Sequence, residues 1–270
     1  MRSGSLDKMR EGSLKEKIEE IKGLLKESGL IKEESYPNNI GFDTEILLDL
    51  FISKTIKYAV NEDAFVTDWI DEQLRNTRLS SELVPLDMVD KWHIDEETGN
   101  IVHESGRFFT VTGLKVRHRW KLQEVEWDQP IIDQPEIGIL GLLSKKINGV
   151  MHFCLNAKEE PGNINLMQLA PTVQATYSNY TQVHGGELPP FINIFLDPPK
   201  DKVLFSRLQT QDGGRFLFKS NKNMIVMMSE DEPDDLPEGF IWLTLRQIGD
   251  LMKRDNLVNF CARSVLSCLI

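Results

Sequence analysis

The chain has 270 residues, 40% of them apolar, which is enough for one large domain or two small ones around a buried core. Its formal net charge of −11 argues against a nucleic-acid partner and an anionic membrane surface, because basic faces bind both. An anionic ligand therefore requires a local cluster of cationic side chains.

The N-terminal region, residues 1–83, predicts helices. Residues 1–12 combine Ser, Gly and charge without a structural period, which indicates a disordered lead or a vector-derived remnant. A capping box before an apolar stripe predicts a first helix over residues 13–28. Two more helices are predicted from residue 43 or 44 to about 60 and from 63 to about 78. Because residues 13–83 carry no chemical motif, we interpret them as a helical arm that supports the same body or a partner subunit.

From Val84 onwards the sequence predicts short strands and turns. A short helix is expected over residues 85–91, followed by strands over 101–103 and 107–116. The pair Asn148-Gly149 then lies between apolar runs at 137–143 and 150–155, and Asn-Gly in this setting is the strongest short hairpin signal. Two paired strands are therefore predicted around it.

The C-terminal part predicts further strands and two helices. Residues 191–196 predict a short helix or strand, and residues 203–210 and 215–228 predict strands joined by the turn Asp212-Gly213-Gly214. An acidic loop is expected over 230–238. The last helices are predicted over 245–254, capped by Thr244, and over 260–269, with an apolar stripe that packs on the body. Together these elements predict a mixed sheet with helices.

A segment unusually rich in polar side chains follows the hairpin. Buried amides and hydroxyls cost about 1–3 kcal/mol each unless they find a partner. A ligand is the partner that we expect. The polar residues are Lys158, Glu159, Glu160, Asn163, Asn165, Gln168, Gln174, Tyr177, Asn179, Tyr180, Gln182 and His184.

The cysteines and the hydropathy pattern favour a cytoplasmic protein. Cys154, Cys261 and Cys268 are odd in number and lack metal-ligand spacing, which favours reduced thiols. No apolar run approaches the roughly 20 residues of a membrane-spanning helix. The polar N-terminus also lacks the apolar centre of a signal peptide.

Five sequence strings resemble one enzyme family, the NDP-hexose 2,3-dehydratases. The resemblance covers residues 84–270 and rests on QPIIDQPEIGILG, AKEEPGN, QLAPTVQATYSNYTQVH, QDGGRFLFKSNKNM and DNLVNFCARSVLSCL. It implies an α+β fold, with a Nudix-hydrolase-like mixed sheet flanked by helices in residues 84–270 and an additional helical N-terminal region. Members usually carry two such modules in one chain, and this chain carries one. Tyr177 stands where the family suggests Arg, and Gly185 follows His184 where it suggests a basic residue.

The resemblance implies a lyase that eliminates water across C2 and C3 of a 4-keto-6-deoxyhexose linked to dTDP or another nucleoside diphosphate. The product would be a 3,4-diketo-2,6-dideoxy sugar that passes to a 3-ketoreductase. No cofactor is implied, because the enol formed by elimination rearranges by itself. The alternative is a nucleotide-sugar-binding or scaffold module without catalysis.

A Nudix metal box is incomplete in this sequence. Glu159-Glu160-Pro161-Gly162 matches its end and Gly141 its first glycine, whereas Ile147, Leu155 and Asn156 replace the other charged residues. The carboxylates that would hold Mg²⁺ are thus not assembled, and a metal-free site is predicted. The alternative for Glu159 and Glu160 is a pair of solvated turn residues.

Elimination requires a base at C3, a proton donor at the C2 oxygen and donors to the C4 oxyanion. The catalytic candidates are His184, Tyr180 and Glu160, and Lys158 is a further acid/base candidate. The alternatives are a hydrogen-bonded structural role for His184 and a core aromatic role for Tyr180.

Substrate binding is assigned to cations and amides within the family strings. Arg107 lies in the string SGRFFTV, and Arg suits bidentate diphosphate contacts. Each cation has the alternative of an ordinary surface charge. The candidate diphosphate-binding cations are Arg107, Lys158, Arg215 and Lys219, and the candidate amides for sugar or base are Gln129, Asn163, Gln168, Gln174 and Asn179.

A homodimer is expected from the single module. A tandem relative covers the module's partner surface within one chain, whereas a second subunit would have to cover it here. The C-terminal helix 260–269 and the N-terminal helices are the segments predicted to cross between subunits.

Overall fold

A mixed β-sheet forms the centre of the protein in a computed structural model that describes residues 3–29, 43–121, 123–180 and 188–269. The helices are α1 (Ser3–Glu27), α2 (Thr44–Thr55), α3 (Asp63–Arg75), α4 (Tyr177–Tyr180), α5 (Ile192–Leu196), α6 (Leu245–Leu251) and α7 (Phe260–Leu266). Short 3₁₀ turns cover Leu86–Met88, Lys200–Lys202 and Ser267–Leu269. The strands are β1 (Trp92–Ile94), β2 (Ile101–His103), β3 (Thr110–Trp120), β4 (Gln123–Asp133), β5 (Gly138–Ile147), β6 (Val150–Glu159), β7 (Met167–Pro171), β8 (Val173–Ala175), β9 (Val203–Thr210), β10 (Ser220–Met227) and β11 (Phe240–Thr244).

The strands form two sheets. The central sheet has seven strands, with the order β11-β6-β5-β10-β9 and with β7 and β8 paired to β6 and β5. Strand β10 runs parallel to β5 while its other pairings are antiparallel, so the sheet is mixed. A second, four-stranded antiparallel sheet has the order β1-β2-β3-β4. This arrangement confirms the α+β class, and the relation to the Nudix fold stays a prediction.

Strand β5 is apolar along its length because both faces of the central sheet are covered. On one face, which we call the first core, Leu142 and Phe153 pack with residues of α2, α3, α6 and α7. On the other face, the second core, Ile139 and Leu143 pack with residues of α5. Helices α2 and α3 therefore share a core with the sheet, and the predicted domain boundary near residue 83 stays a prediction.

The predicted hairpin is confirmed and connects β5 to β6. Ile147 pairs with Val150 across the turn. Asn148 and Gly149 have φ angles of 52° and 80°, the left-handed values that a tight two-residue turn requires and that Asn and Gly adopt readily. The pair Asn148-Gly149 thus determines both the turn and the register of β5 against β6.

The helices differ from their predicted bounds. Helix α1 begins at Ser3 and not at the capping box predicted at Ser13. The interpretation of residues 1–12 as a separate lead stays a prediction. Helix α2 ends at Thr55 because Ile56 is extended and its carbonyl accepts a 3.2 Å hydrogen bond from the Arg246 guanidinium. Helices α3, α6 and α7 end at residues 75, 251 and 266, and only a 3₁₀ turn occupies the predicted helix 85–91.

The strands also correct the predictions in two places. The strand predicted from Arg215 begins only at Ser220, because Arg215 and Phe216 donate backbone hydrogen bonds to Asp212 and form a turn. Strand β4 was not predicted, and the structure shows it exposed along most of its length, with Ile131 as its one buried residue. It pairs with β3 over its whole length.

Gly141 fits one ring of the second core. A Cβ at this position would lie 2.6 Å from the ring of Phe195, closer than real Cβ contacts come. Phe195 is fully buried and belongs to α5. The glycine in the middle of β5 is therefore explained by the approach of α5 to the sheet.

Replacing Gly141 by Ala should lower the free energy of unfolding by about 1–3 kcal/mol, because overpacking a close contact strains the core. Urea denaturation measures this loss, and Phe195→Leu in the same chain should recover part of it because the two positions are in contact. Gly113→Ala is the control, since no atom lies within 4 Å of a Cβ there. Equal stability of the two alanine variants would contradict this account.

Candidate functional site

Strands β5 and β6 pair only near their turn and then separate. Their register runs from Ile147–Val150 to Leu143–Cys154. Beyond that point β7 pairs with β6 and β8 pairs with β5, so these two short strands fill the gap between them. The gap opens a wedge in the sheet at the end where the polar segment lies.

Thr172 holds the point at which the strands separate. Its hydroxyl accepts a 2.9 Å hydrogen bond from the Leu143 amide of β5 and donates a 2.5 Å bond to the Cys154 carbonyl of β6. Thr172 is buried and lies between β7 and β8. One side chain thus satisfies both backbone groups that lose their strand partner there.

A cavity of about 540 Å³ lies at the open end of the wedge. Polar side chains from β6, β7, β8, β10 and α7 line most of it, and Leu140 and Phe260 supply apolar wall. Its polar lining residues are Gln134, Lys158, Glu160, Asn163, Gln168, Gln174, Thr176, Asn179, Gln211, Lys219, Asn221, Asn259, Cys261 and Arg263. Such a volume with convergent polar groups is typical of a small-molecule site.

Glu160 is the one carboxylate among the described lining residues of this cavity. The Gln174 side-chain amide donates to one carboxylate oxygen at 2.7 Å, and the Asn259 amide lies 3.5 Å from the other. Asn259 also donates to the Gln174 side-chain oxygen at 3.0 Å. The acidic group is therefore held in place by two amides.

Three cations line the same cavity. The Lys158 ammonium donates to the Gln174 backbone carbonyl at 3.2 Å, and Arg263 is exposed on α7. Lys219 is buried, and its ammonium donates to the backbone carbonyl of Glu136. Burial lowers the pKa of Lys219, while the Glu136 charge acts against this shift. The three positive charges against one carboxylate form the local basic cluster that an anionic ligand requires.

Cys261 lies in the cavity wall as a neutral thiol. Burial, with a smaller contribution from the Glu160 charge, raises its pKa to about 11. A thiolate nucleophile is disfavoured at neutral pH for this reason. Among the described residues, no group of three His, Cys, Asp or Glu side chains is placed to hold a metal ion.

Seven of the sequence-predicted site residues line the cavity. They come from separate strings but meet at the wedge. They are Lys158, Glu160, Asn163, Gln168, Gln174, Asn179 and Lys219.

Three predicted binding residues lie elsewhere. Arg107 is exposed in the connection between β2 and β3. Gln129 donates to the Gly214 carbonyl at 3.2 Å and accepts from the Trp127 indole at 2.9 Å, so it ties the β4 strand to the turn before β10. Arg215 is exposed in that turn. None of the three lines the cavity among its described residues.

Of the remaining catalytic candidates, His184 lies outside the described residues, as does Gly185. Tyr180 is not among the described lining residues and packs against the second core. Its ring meets that of Tyr177 edge-on, with centroids 5.4 Å apart. Burial, followed by Tyr177 and Glu136, raises the pKa of Tyr180, so its phenol is neutral at ordinary pH.

Sequence reasoning missed several lining residues. The signal was present, because all seven fall within the strings that carry the family resemblance. Except for Thr176, they come from loops, from β10 and from α7, which the polar-segment argument did not reach. The missed residues are Gln134, Thr176, Gln211, Asn221, Asn259, Cys261 and Arg263, and Thr176 lies in the segment itself.

Glu159, adjacent to Glu160, has a different environment. Its carboxylate accepts backbone hydrogen bonds from Arg78 at 3.1 Å and from Leu79 at 2.7 Å. It borders a separate groove of about 860 Å³ together with the end of α3 and the segment 236–240. Glu159 is exposed, as expected, but it is the last residue of β6 instead of a turn residue, and it anchors the chain that follows α3.

The comparisons with known proteins agree on one family. A model of the family described as NDP-hexose 2,3-dehydratase matches residues 63–269. A dTDP-4-dehydro-6-deoxy-alpha-D-glucopyranose 2,3-dehydratase of Saccharopolyspora spinosa is 47% identical over 201 residues, which are 74% of this chain and 41% of that protein. A relative of the same name from Amycolatopsis orientalis is 48% identical over 208 residues, covering 76% of this chain and 44% of its own.

A third relative of that name, from Streptomyces violaceoruber, is 42% identical over 205 residues, which are 74% of this chain and 45% of its own. The matched segment therefore spans less than half of each of these relatives. Within the part of the chain that the structure describes, no helix has the length and apolarity needed to cross a membrane.

Replacing Thr172 by Val keeps the shape of the side chain and removes its hydroxyl. The Leu143 amide and the Cys154 carbonyl then lose a partner inside the sheet, and each buried group left unpaired costs about 1–3 kcal/mol. We expect urea denaturation to show a loss of about 2–4 kcal/mol and hydrogen exchange to show faster exchange of the Leu143 amide.

Thr55→Val is the matched control for this substitution. The Thr55 hydroxyl donates to the Phe51 carbonyl on an exposed face of α2, so its loss should change stability by less than about 0.5 kcal/mol. An equal and small effect of both substitutions would show that Thr172 does not hold the wedge.

Proposed function

Because the chain belongs to the NDP-hexose 2,3-dehydratase family, we propose that it is a sugar-nucleotide 2,3-dehydratase that eliminates water across C2 and C3 of an NDP-linked 4-keto-6-deoxyhexose. The observation that carries this proposal is the cavity in which Glu160, the one carboxylate among the described lining residues, is fixed by two amides and shares the lining with a set of cations. The names of the matched relatives favour dTDP as the nucleotide. We retain a cytoplasmic location as part of the proposal, in keeping with three cysteines that form no disulfide.

The substrate's own chemistry sets the demands on the site. The C3 hydrogen is acidified by the neighbouring C4 carbonyl, and the C2 hydroxyl lies β to that carbonyl. Loss of the C3 proton and of the C2 hydroxide, which leaves with a proton as water, forms a C2–C3 double bond. The resulting enol tautomerises to the 3,4-diketo sugar, so atoms and electrons balance without a redox cofactor.

We assign the base to Glu160. A base must be ionised, oriented and shielded from competing partners, and its two amide donors meet the second requirement. Lys219 suits the developing C4 oxyanion, because a buried ammonium stabilises charge more strongly than an exposed one. Its Nζ donates to a backbone carbonyl and forms no ion pair among the described residues.

The diphosphate fits the outer part of the cavity. Arg263 is exposed there, and its planar guanidinium can donate two parallel hydrogen bonds to phosphate oxygens. Lys158 adds a second positive charge on the β6 edge. This placement puts the sugar in the inner part of the cavity, beside Glu160 and Lys219. The nucleobase would then contact the lining amides.

We propose His184, a catalytic candidate from the sequence alone, as the proton donor to the C2 oxygen. A role for Tyr180 in the oxyanion site has less support, since its ring packs against the second core. Metal independence also stays a prediction, and turnover after treatment with EDTA tests it. The product would pass to a 3-ketoreductase, because a 3,4-diketone is readily reduced.

The competing function is a nucleotide-sugar-binding module without catalysis. The observation that favours it is coverage, since the matched segment is less than half of each curated relative. Both functions require the cavity, and only the dehydratase requires a base in it.

Turnover separates the two functions. We expect the protein, incubated with dTDP-4-keto-6-deoxyglucose, a 3-ketoreductase and NADPH, to form a 2-deoxy sugar nucleotide that mass spectrometry detects. Glu160→Gln should lower kcat by about 10²–10⁴-fold, because it removes a positioned base and keeps the shape of the side chain. Glu238→Gln, the same change at an exposed position outside the cavity, is the control.

A wild-type protein that binds the nucleotide sugar and yields no 2-deoxy product would establish the binding module instead. Normal turnover by the Glu160→Gln variant would move the base to another residue.

We further propose that two copies associate through the β3–β4 hairpin. Cross-strand pairs put Val116 opposite Trp127 and His118 opposite Val125, so one face of the hairpin is largely apolar. Trp120, Val125 and Trp127 are 65%, 54% and 44% exposed. β2 pairs with β3 at Val111, so the outer part of the hairpin, which carries these side chains, is two-stranded. Such a ribbon is only marginally stable in water, and a cover on this face would stabilise it.

A second copy of the chain is the occupant that fits this face. On the opposite face, two ion pairs form within the hairpin, Arg117 with Glu126 and Arg119 with Glu124. The apolar face therefore meets its own copy across a two-fold axis without like-charge repulsion, despite the net charge of −11. The C-terminal helix is a weaker candidate, because α7 buries Ala262, Val265 and Leu266 in the first core of its own chain.

Light scattering after size-exclusion chromatography should show a dimer that persists on dilution. Val125→Lys places a charge on the apolar face of both copies and should shift the protein to the monomer. Lys115→Ser, on the opposite face, should leave the dimer intact. A wild-type monomer at all concentrations, or a dimer insensitive to Val125→Lys, would contradict this interface.

A further inference from the structure

We propose that Asn259 is a positioning residue of the site: it sets the direction in which the Gln174 amide faces Glu160, and thereby holds the proposed base in one orientation. This inference rests on the proposed function for its catalytic consequence. Its structural content, the orientation of one amide by another, can be measured without turnover.

The orientation of Asn259 is fixed by helix α7. Asn259 is the N-cap of this helix, and its side-chain oxygen accepts a 2.8 Å hydrogen bond from the Ala262 amide. A backbone N–H can only donate, so the atom that faces it must be the oxygen. The side-chain nitrogen of Asn259 consequently points the other way, towards the cavity.

The orientation of Gln174 follows from that of Asn259. The Asn259 nitrogen is 3.0 Å from the Gln174 side-chain oxygen, which accepts its hydrogen bond. The remaining atom of the Gln174 amide is its nitrogen, which lies 2.7 Å from Glu160 and donates to it. The helix cap thus determines, through two amides, that the carboxylate meets a donor.

We call the series of hydrogen bonds from Ala262 through Asn259 and Gln174 to Glu160 the relay. The main chain around Asn259 holds this relay in place. The Asn259 amide donates to the Leu169 carbonyl of β7 at 2.9 Å, and the Leu169 amide donates to the Leu257 carbonyl at 2.8 Å. Asn259 is only 4% exposed, so water does not compete for its side chain. The helix cap, strand β7 and the cavity are therefore connected at one residue.

Two substitutions separate the cap from the relay. Serine caps helices about as well as asparagine and has no second donor, so Asn259→Ser keeps the bond to Ala262 and removes the one to Gln174. Asn259→Asp also keeps the cap, but it presents an acceptor to Gln174. That amide must then rotate and turn its own oxygen towards Glu160, which repels the carboxylate.

Kinetics give the catalytic readout. We expect Asn259→Ser to lower kcat about 10–100-fold with KM changed less than about threefold, because a base misplaced by a fraction of an ångström loses rate rather than affinity. Asn259→Asp should be slower still. Thermal unfolding of Asn259→Ser should match the wild type, whereas Asn259→Ala loses the cap and should unfold earlier.

NMR gives a readout that is independent of turnover. The side-chain amide signals of Gln174, identified by their loss in Gln174→Met, should shift in Asn259→Ser. They should stay unchanged in Asn165→Ser, the same substitution at an exposed residue whose amide donates to the Asn256 carbonyl. An inactive wild type with a shifted Gln174 signal would refute the dehydratase function and support the relay.

Unchanged Gln174 signals in Asn259→Ser would overturn the inference, whatever the kinetics show. An Asn259→Ser variant with the kcat of an active wild type would also overturn it. So would an Asn259→Ser variant in which kcat falls, KM rises and the thermal unfolding temperature falls together.

Discussion

The separation of β5 from β6 is the constraint on which the candidate site depends. A fully paired hairpin would leave no room between these strands, and its polar residues would project from a closed sheet. The structure instead inserts β7 and β8 into the gap and places the Thr172 hydroxyl between the Leu143 amide and the Cys154 carbonyl. The wedge brings residues of β6, β8 and β10 to one cavity. The ligand site therefore depends on the point at which β5 and β6 stop pairing with each other.

Charge in this protein is arranged locally rather than globally. The chain as a whole is acidic, with a net charge of −11, while Lys158, Lys219 and Arg263 line the cavity around Glu160. An anionic ligand that enters the cavity meets cations at short range, where the reduced dielectric strengthens their attraction. The repulsion from the outer acidic surface is screened by salt over about 8–10 Å. Burial lowers the pKa of Lys219, so this cation is lost at a lower pH than an ordinary lysine as the pH rises.

The sequence predicted the site in part, and the physical reason for the limit is distance along the chain. Asn148-Gly149 specified the hairpin, because turn chemistry is local, and the density of polar residues after it located Lys158, Glu160 and Gln174. Asn259 and Arg263 were missed although they lie in a family string, since nothing local shows that α7 meets the wedge. Arg107 and Arg215 were assigned to phosphate because they match the family strings, but a sequence match does not show where a side chain points. In the structure both are exposed and lie outside the described cavity lining. His184 is not among the described residues, so its assignment stands on sequence alone.

The end of β6 shows how one strand serves two purposes. Glu159 is the last residue of β6 and Glu160 the first after it. Successive side chains along an extended chain point to opposite sides, so the two carboxylates diverge although they are adjacent. Glu159 accepts backbone amides of Arg78 and Leu79, and Glu160 accepts the side-chain amides of Gln174 and Asn259. The segment after α3 is therefore anchored to the residue next to the proposed base. This contact links the segment after α3, a helix that packs in the first core, to the residue beside the proposed base. The family match includes α3, since it begins at residue 63.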